Sequence, residues 1–443
     1  MARFVVDFDF SKLPPTGVEQ IKISVLDTLG VALVGAKGRI GAILCDFVKE
    51  MGGNPQARLI GSGIKTSVLN AALANATFAH ADDYDDMDSF GHPGCILAPT
   101  ALALGEQLKL PGRKILEAYA IGFEVGRKLR AGMGAIERAG YHSSCLLGTM
   151  ATAAESAKLL GLDIDRTRAS LGIAASLASG IVQNFGTHTK PLHAGHAGRS
   201  GILAASLAEK GFTGDPNVLE APRGFIYVFG QEQADIRRVA ENIGNPLGIA
   251  QDGVRIKFWP SGHGSHASLT VLFHLIEKYN IRPEQVNAIE VVKSSPRETG
   301  GYIRNDPQRG DEGRFSMEYQ LATALVDRKV DLYSFTDEKL FRPMIQDLIK
   351  KVTVVQDPEI AGLPLRLQGE SPFTTLTLRL KDGRVLSERA GQVKLLTGEE
   401  IYDKFKENAR FGGLTANKIE RAIELVKGLE NLRDVTELMD TVS

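Results

Sequence analysis

Cysteine is scarce in this chain. Cys45, Cys95 and Cys145 are too few and too scattered for a disulfide framework or a thiolate metal site. That suits a reducing compartment, and the expected location is cytoplasmic. Net charge is missing as well: 52 Lys+Arg against 53 Asp+Glu leave −1, so no global field draws the protein to nucleic acid or an anionic membrane. No stretch approaches about eighteen uninterrupted apolar residues, and the opening M-A-R-F-V-V-D-F-D-F carries acids where a signal peptide is apolar. Neither a membrane span nor a targeting segment is expected. There is no G-x-x-x-x-G-K-[ST], no G-x-G-x-x-G joining a strand to a helix, and no internal repeat, which removes the usual phosphate cradles.

What the chain has is length, apolar content and one dense knot of charge. At 443 residues it exceeds the size at which a single core stops growing, so two domains are expected, and 43% hydrophobic residues supply a large interior. The knot runs from His80 to Cys95, H-A-D-D-Y-D-D-M-D-S-F-G-H-P-G-C, with five aspartates and two histidines in sixteen residues. It falls between two alanine-rich helical patterns, 69–78 and 96–108, and so reads as a loop held by buried helices. A charge run is ordinarily a solvated loop. Its company argues otherwise, because His142, Lys190 and His193 also fall at breaks between apolar helices.

Residues 17–35 place Val18, Ile21, Val25, Leu29 and Leu33 on one helical face, with apolar residues filling most of the circumference, as in a buried helix. Gly/Ala-rich helices are expected again at 114–133, 145–161, 165–182 and 198–210, so residues 1–265 read as all-helical. After His266 the texture changes. Residues 286–293, 351–356 and 373–386 alternate apolar and polar positions with β-branched enrichment, and Asp382-Gly383 marks a hairpin. Helical patterns at 267–279, 315–327 and 337–350 lie between these strands. Helices resume after Thr397, where T-G-E-E fits a capping box. The expected fold is therefore mainly α: a large helical domain formed by 1–265 and 396–443, with a smaller α+β unit, 266–395, inserted as a lid.

Metal ligation is not expected. The aspartate run lacks the glycine and terminal glutamate of a calcium loop, and the three-residue spacings His193/His196 and His263/His266 are common without a metal. Acid/base work is expected instead. G-Y-H-S-S-C-L-L-G-T (140–149) sets His142 before an apolar helix, and F-G-T-H-T-K-P-L-H-A-G-H-A-G (185–198) sets Lys190 and His193 before another. A lysine buried at the mouth of a cleft is a usable base or a carboxylate anchor. K-F-W-P-S-G-H-G-S-H (257–266), at the boundary of the two textures, carries the single tryptophan, Trp259, and domain junctions favour clefts.

These stretches together resemble the MmgE/PrpD family. H-A-D-D-Y-D-D-M-D-S-F-G-H-P-G is similar to its H-x-x-D-F-D-D-T-H…H-P-G signature, and Y-H-S-S-C-L-L-G-T, K-P-L-H-A-G-H-A, G-F-T-G-D-P-N-V-L-E-A-P-R-G-F and F-S-M-E-Y-Q-L-A-T-A-L follow in the family's order over most of the chain. The family includes 2-methylcitrate dehydratases, cis-aconitate decarboxylases and an iminodisuccinate epimerase. The resemblance implies a helical domain with an α+β lid, a homodimer joined through Gly/Ala-rich helices such as 151–160 and 174–181, and cofactor-free chemistry on a small di- or tricarboxylate. It places the catalytic pattern on Asp83, His92, His142, Lys190 and Tyr302, with His266 nearby at the junction; the expected substrate contacts are His193, Lys257, His266 and Met87. The chain departs from the pattern at Met87 and Asp88, where the family has threonine and histidine, at Ser261, where it often has cysteine, and at H-P-G-C, where dehydratases tend to read H-P-S-D-N. With the shorter chain, these departures favour an epimerase over a dehydratase or decarboxylase.

Overall fold

The computed structural model describes residues 1–88, 90–295, 297, 302–361, 373–391 and 393–443. Its elements are mainly α-helices with small sheets. Apolar side chains sort into two principal cores. The larger takes residues from Val5 to Ile249 and again from Phe405 to Val442, and the second runs from Trp259 to Leu380.

Five buried helices build the part of the larger core that frames the loops of interest: Pro15–Lys37, Val68–His80, Gly94–Leu108, Ser143–Leu159 and Thr189–Glu209. Alanine and glycine dominate their contact faces, which lets the backbones close on one another. A Cβ at Gly195 would lie 2.2 Å from the Leu73 carbonyl oxygen, and one at Gly201 would lie 2.1 Å from Thr152 Oγ1. Only glycine fits either contact, and Thr152 Oγ1 uses the second approach to donate to the Ala197 carbonyl at 2.8 Å.

In the second core a four-stranded sheet has the order 352–356, 286–293, 374–380, 385–390, parallel across the first pair and antiparallel across the rest. The Asp382-Gly383 turn closes the hairpin, with Gly383 at φ 88° and Asp382 accepting the Arg384 N–H at 3.1 Å. The helices His266–Tyr279 and Met317–Asp327 pack with this sheet.

Several expectations need correction. Residues 1–265 are not purely helical, since Ala57–Arg58 pairs with Lys65–Thr66 and Ile256–Lys257 pairs with Leu395–Leu396. Strands of two residues are too short to show alternation. The helix expected at 198–210 begins at Thr189, so Lys190 and His193 lie in its first turns rather than before it. Pro191 does not prevent this, because first-turn N–H groups have no partner within the helix. The pattern at 337–350 is two helices, Asp337–Leu340 and Pro343–Ile349, separated at a proline. The amphipathic helix Arg39–Met51 was not anticipated. At Thr397 half of the capping box forms: Glu400 accepts the Thr397 N–H at 3.1 Å, while the helix starts from Gly398 without a side-chain cap.

Candidate active site

The charged loop is pinned by the helices packed around it. Asp86 accepts the Gly94 N–H at 2.8 Å and the Ser24 hydroxyl, so it caps the helix Gly94–Leu108. A Cβ on Gly94 would stand 2.6 Å from both Asp86 oxygens. The His92 N–H donates to Ser144 Oγ at 3.1 Å, tying the far end of the loop to the helix that starts just after His142. Far from solvating its acids, the fold buries Asp83, Asp85 and Asp86.

Asp83 is the centre of the arrangement. Its backbone is left-handed at φ 51°, a region aspartate tolerates better than most residues. Lys190 Nζ donates to Asp83 Oδ1 at 2.6 Å, Lys257 Nζ lies 3.1 Å from the same oxygen, and His92 Nε2 is 3.7 Å away. Burial alone would raise the carboxyl's pKa, but Lys190 and Lys257 hold it well below the ordinary carboxylate value. Asp85 is held low in the same sense: burial opposes ionisation, and His80 and His92 overcome it.

Asp85 bridges two imidazoles, with His80 Nδ1 at 3.0 Å and His92 Nδ1 at 3.1 Å. The Asp86 carbonyl also lies 3.0 Å from His92 Nδ1. Because these neighbours are acceptors, Nδ1 of each ring carries the proton and Nε2 is left as the basic nitrogen. His80 and His92 rings are 4.6 Å apart, and His142 stacks on His80 at 6.0 Å. His142 Nδ1 is 2.9 Å from His193 Nδ1, so one of that pair donates to the other. Burial, reinforced by the Lys190 charge, lowers His142 well below the ordinary value. It brings His193 to about 4. His80 also falls to about 4, where burial outweighs the raising effect of Asp85. These rings are neutral at pH 7.

The structure therefore gathers Asp83, His92, His142, Lys190, Lys257 and His193, residues far apart in sequence. Lys257 sits behind Asp83 with its donors spent on protein: besides the carboxylate it reaches the Asp83 carbonyl at 2.8 Å and the Ser261 carbonyl at 3.3 Å. Lys190 has further donors left. It also lies 5.5 Å from the Phe185 ring centroid and 5.3 Å from that of Phe315. His266 Nε2 faces the Ser261 carbonyl at 3.2 Å, its ring against Trp259. Met87 pairs through its backbone with Arg255. Tyr302 donates its hydroxyl to the Ser295 carbonyl at 2.7 Å and lies beside Lys293 and Arg297 in the second core. Sequence reasoning missed His80 and Asp85 as members of the cluster. Their i, i+5 spacing across a helix end was the available signal.

One ligand atom from each of His80, Asp83, Asp85 and His92 falls within 4.8 Å of the others, a compact set for a cation. Charge argues against that use. Asp83 Oδ1 already receives two ammonium groups, and an entering metal ion would be repelled by both. A cavity of about 420 Å³ reaches Lys190 and His80 and is walled by Asp82 and Pro191 on one side and Arg314 and Phe315 on the other. It thus spans residues of both cores.

Comparison with known proteins matches residues 1–237 to the MmgE/PrpD N-terminal domain and residues 259–431 to the MmgE/PrpD C-terminal domain. Relatives include cis-aconitate decarboxylases from Homo sapiens, 29% identical over 95% of this chain and 89% of that protein, and from Mus musculus, 27% identical over 95% and 88%. A cis-aconitate decarboxylase from Aspergillus terreus is 27% identical over 97% of this chain and 92% of its own length. The chain belongs to the MmgE/PrpD family and is an enzyme of that family.

Proposed function

We propose that this MmgE/PrpD enzyme is a cofactor-independent lyase that removes carbon dioxide from cis-aconitate or a close tricarboxylate. The observation that carries the reading is Lys190: a buried ammonium with donors to spare, beside a row of neutral imidazoles, facing a cavity that spans both cores. The relatives favour the lyase over the epimerase expected from chain length and from the departures at Met87, Asp88 and Ser261.

In the reaction the bond from the methylene carbon to its carboxylate breaks, and that electron pair forms a new terminal double bond. The old double bond takes one proton at its far carbon, so the trianion and a proton yield a dianion and carbon dioxide. Lys190 anchors a substrate carboxylate. Asp83 and Lys257 fix that ammonium's position. His92 Nε2 takes up a proton when the substrate brings negative charge to the site, and delivers it to carbon. His142, set by His193, orients a second carboxylate. The α+β part, 266–395, serves as a lid over this cavity, and the enzyme works as a cytoplasmic homodimer.

Proton NMR in deuterated water with cis-aconitate and a panel of polycarboxylates tests the reading. Carbon dioxide with a terminal alkene is the expected product. Loss of water would make the enzyme a dehydratase, and exchange or inversion without a new product would make it an epimerase. Light scattering at micromolar concentration tests the dimer, which a monomer mass would refute.

A further inference from the structure

Lys404 lies on the helix Glu399–Phe411, well over a hundred residues from the site segments in sequence, yet it is buried directly behind them. Its ammonium is 2.7 Å from Asp27 Oδ1 and donates to the Tyr84 carbonyl at 2.7 Å and the Lys257 carbonyl at 3.2 Å. The Tyr84 ring lies 3.7 Å away from the same nitrogen. Two of the ammonium's N–H donors go to these carbonyls, and its charge pairs with the Asp27 carboxylate.

The two carbonyls belong to the segments that build the centre. Tyr84 immediately follows Asp83, and Lys257 is the residue whose own ammonium holds Asp83 by both carboxylate and carbonyl. One buried cation therefore fastens both segments from behind. Asp83 needs such support, because its left-handed backbone persists only where its surroundings enforce it.

We propose that Lys404, with Asp27 as its counter-ion, is a positioning residue for the reaction: it sets Asp83 and Lys257 in register, and through them Lys190. The helix Glu399–Phe411 is then part of the catalytic apparatus. This rests on the reading that the Asp83 cluster is the active site. Neither Lys404 nor Asp27 reaches the cavity.

Two variants test it. Lys404→Met removes the clamp, and Lys404→Met/Asp27→Leu removes it together with its counter-ion, an apolar replacement that buried ion pairs commonly tolerate. Both should lower kcat on cis-aconitate by about a hundredfold, the order expected for displacing a reacting group by about an ångström. KM should change by less than kcat, since no group that touches the substrate is itself removed. A folded variant of either kind with kcat within about threefold of wild type overturns the proposal. Failure of both to fold overturns it too, assigning Lys404 to the fold alone. Should wild-type protein not turn over cis-aconitate, the functional reading fails and a substrate-free measurement still decides. The His92 imidazole resonance, reporting on Asp83 3.7 Å away, should move in Lys404→Met, as it should in the Asp83→Asn control. An unmoved resonance sinks the positioning role.

Discussion

Lys190 and Asp83 form a buried pair whose partners are unequally committed, and that inequality predicts how substitution acts. Lys190→Ala leaves Asp83 still held by Lys257, so the fold should survive while turnover falls by about a hundred- to a thousandfold. Lys190→Arg should not restore it, because a guanidinium cannot match a compact ammonium wedged between Asp83, Phe185 and Phe315. Rate and thermal unfolding measured on the same preparations separate this from a structural effect, which would lower the melting temperature and spare turnover. Exhaustive chelation should leave turnover unchanged, since two ammonium groups already sit on Asp83, one of the four donors, and would repel a cation. Loss of activity restored by magnesium, manganese or zinc would refute that.

The imidazoles also predict how stability depends on pH. Burial holds His80 and His193 at about 4 in the folded chain, against 6.5 when unfolded. Between those values the unfolded chain binds protons that the folded chain refuses, so stability falls as the pH drops from about 6.5 towards 4. Above that window these two rings contribute no pH dependence. Asp83 and Asp85, held low, lose their contribution only in stronger acid, below their ordinary value of 3.8. Urea unfolding across pH 4.5 to 7.5 should show a midpoint that declines below about 6.5. A flat profile would mean that these rings are not buried neutral.

Among the elements, the helix that starts just after His142 and the helix that carries Lys190 are set by close approach rather than by amphipathic pattern. Gly201 meets Thr152 with no space for a methyl group, so Gly201→Ala must push the two helices apart. Overpacking of this kind costs roughly 1–3 kcal/mol, and calorimetry should show a melting temperature lower by several degrees. An unchanged melting temperature would show that the contact is looser than the structure has it. The same crowding explains what was hard to read. Helices buried all round give little periodicity, so their existence was legible from Ala/Gly content while the start at Thr189 was not. The sheet strands were legible because one face packs on helices and the other does not, giving the alternation at 374–380.

At the scale of the whole molecule, the two cores meet over the cavity through a few polar ties. Arg314 pairs with Asp82, His188 with Asp311 at 3.1 Å, and Arg304 donates to the Phe185 carbonyl at 3.0 Å. If the second core covers bound substrate, Arg314→Gln should raise KM by about tenfold with a smaller change in kcat, because closure is weakened rather than the chemistry. Equal losses in both would place Arg314 on the reacting groups instead. Among the described residues no helix is long and apolar enough to cross a membrane.

The sequence by itself determined the family, the mainly helical character, the strands near the end, and a short set of ionisable residues that stood out at breaks between apolar helices. Those features are local, or lie in motifs whose order along the chain is fixed. Only the tertiary structure decided which of these residues meet. It spent Lys257 on Asp83 and left Lys190 with donors to offer, because one ammonium is enclosed by carbonyls and the other lines a cavity. It drew in His80 and Asp85, which sequence placed in the acidic stretch but not in the site, by burying that loop between helices. It also turned Lys404 and Asp27 towards the backs of two distant segments. A lysine's role depends on which oxygens surround its three donors, and those oxygens come from parts of the chain that only folding brings together.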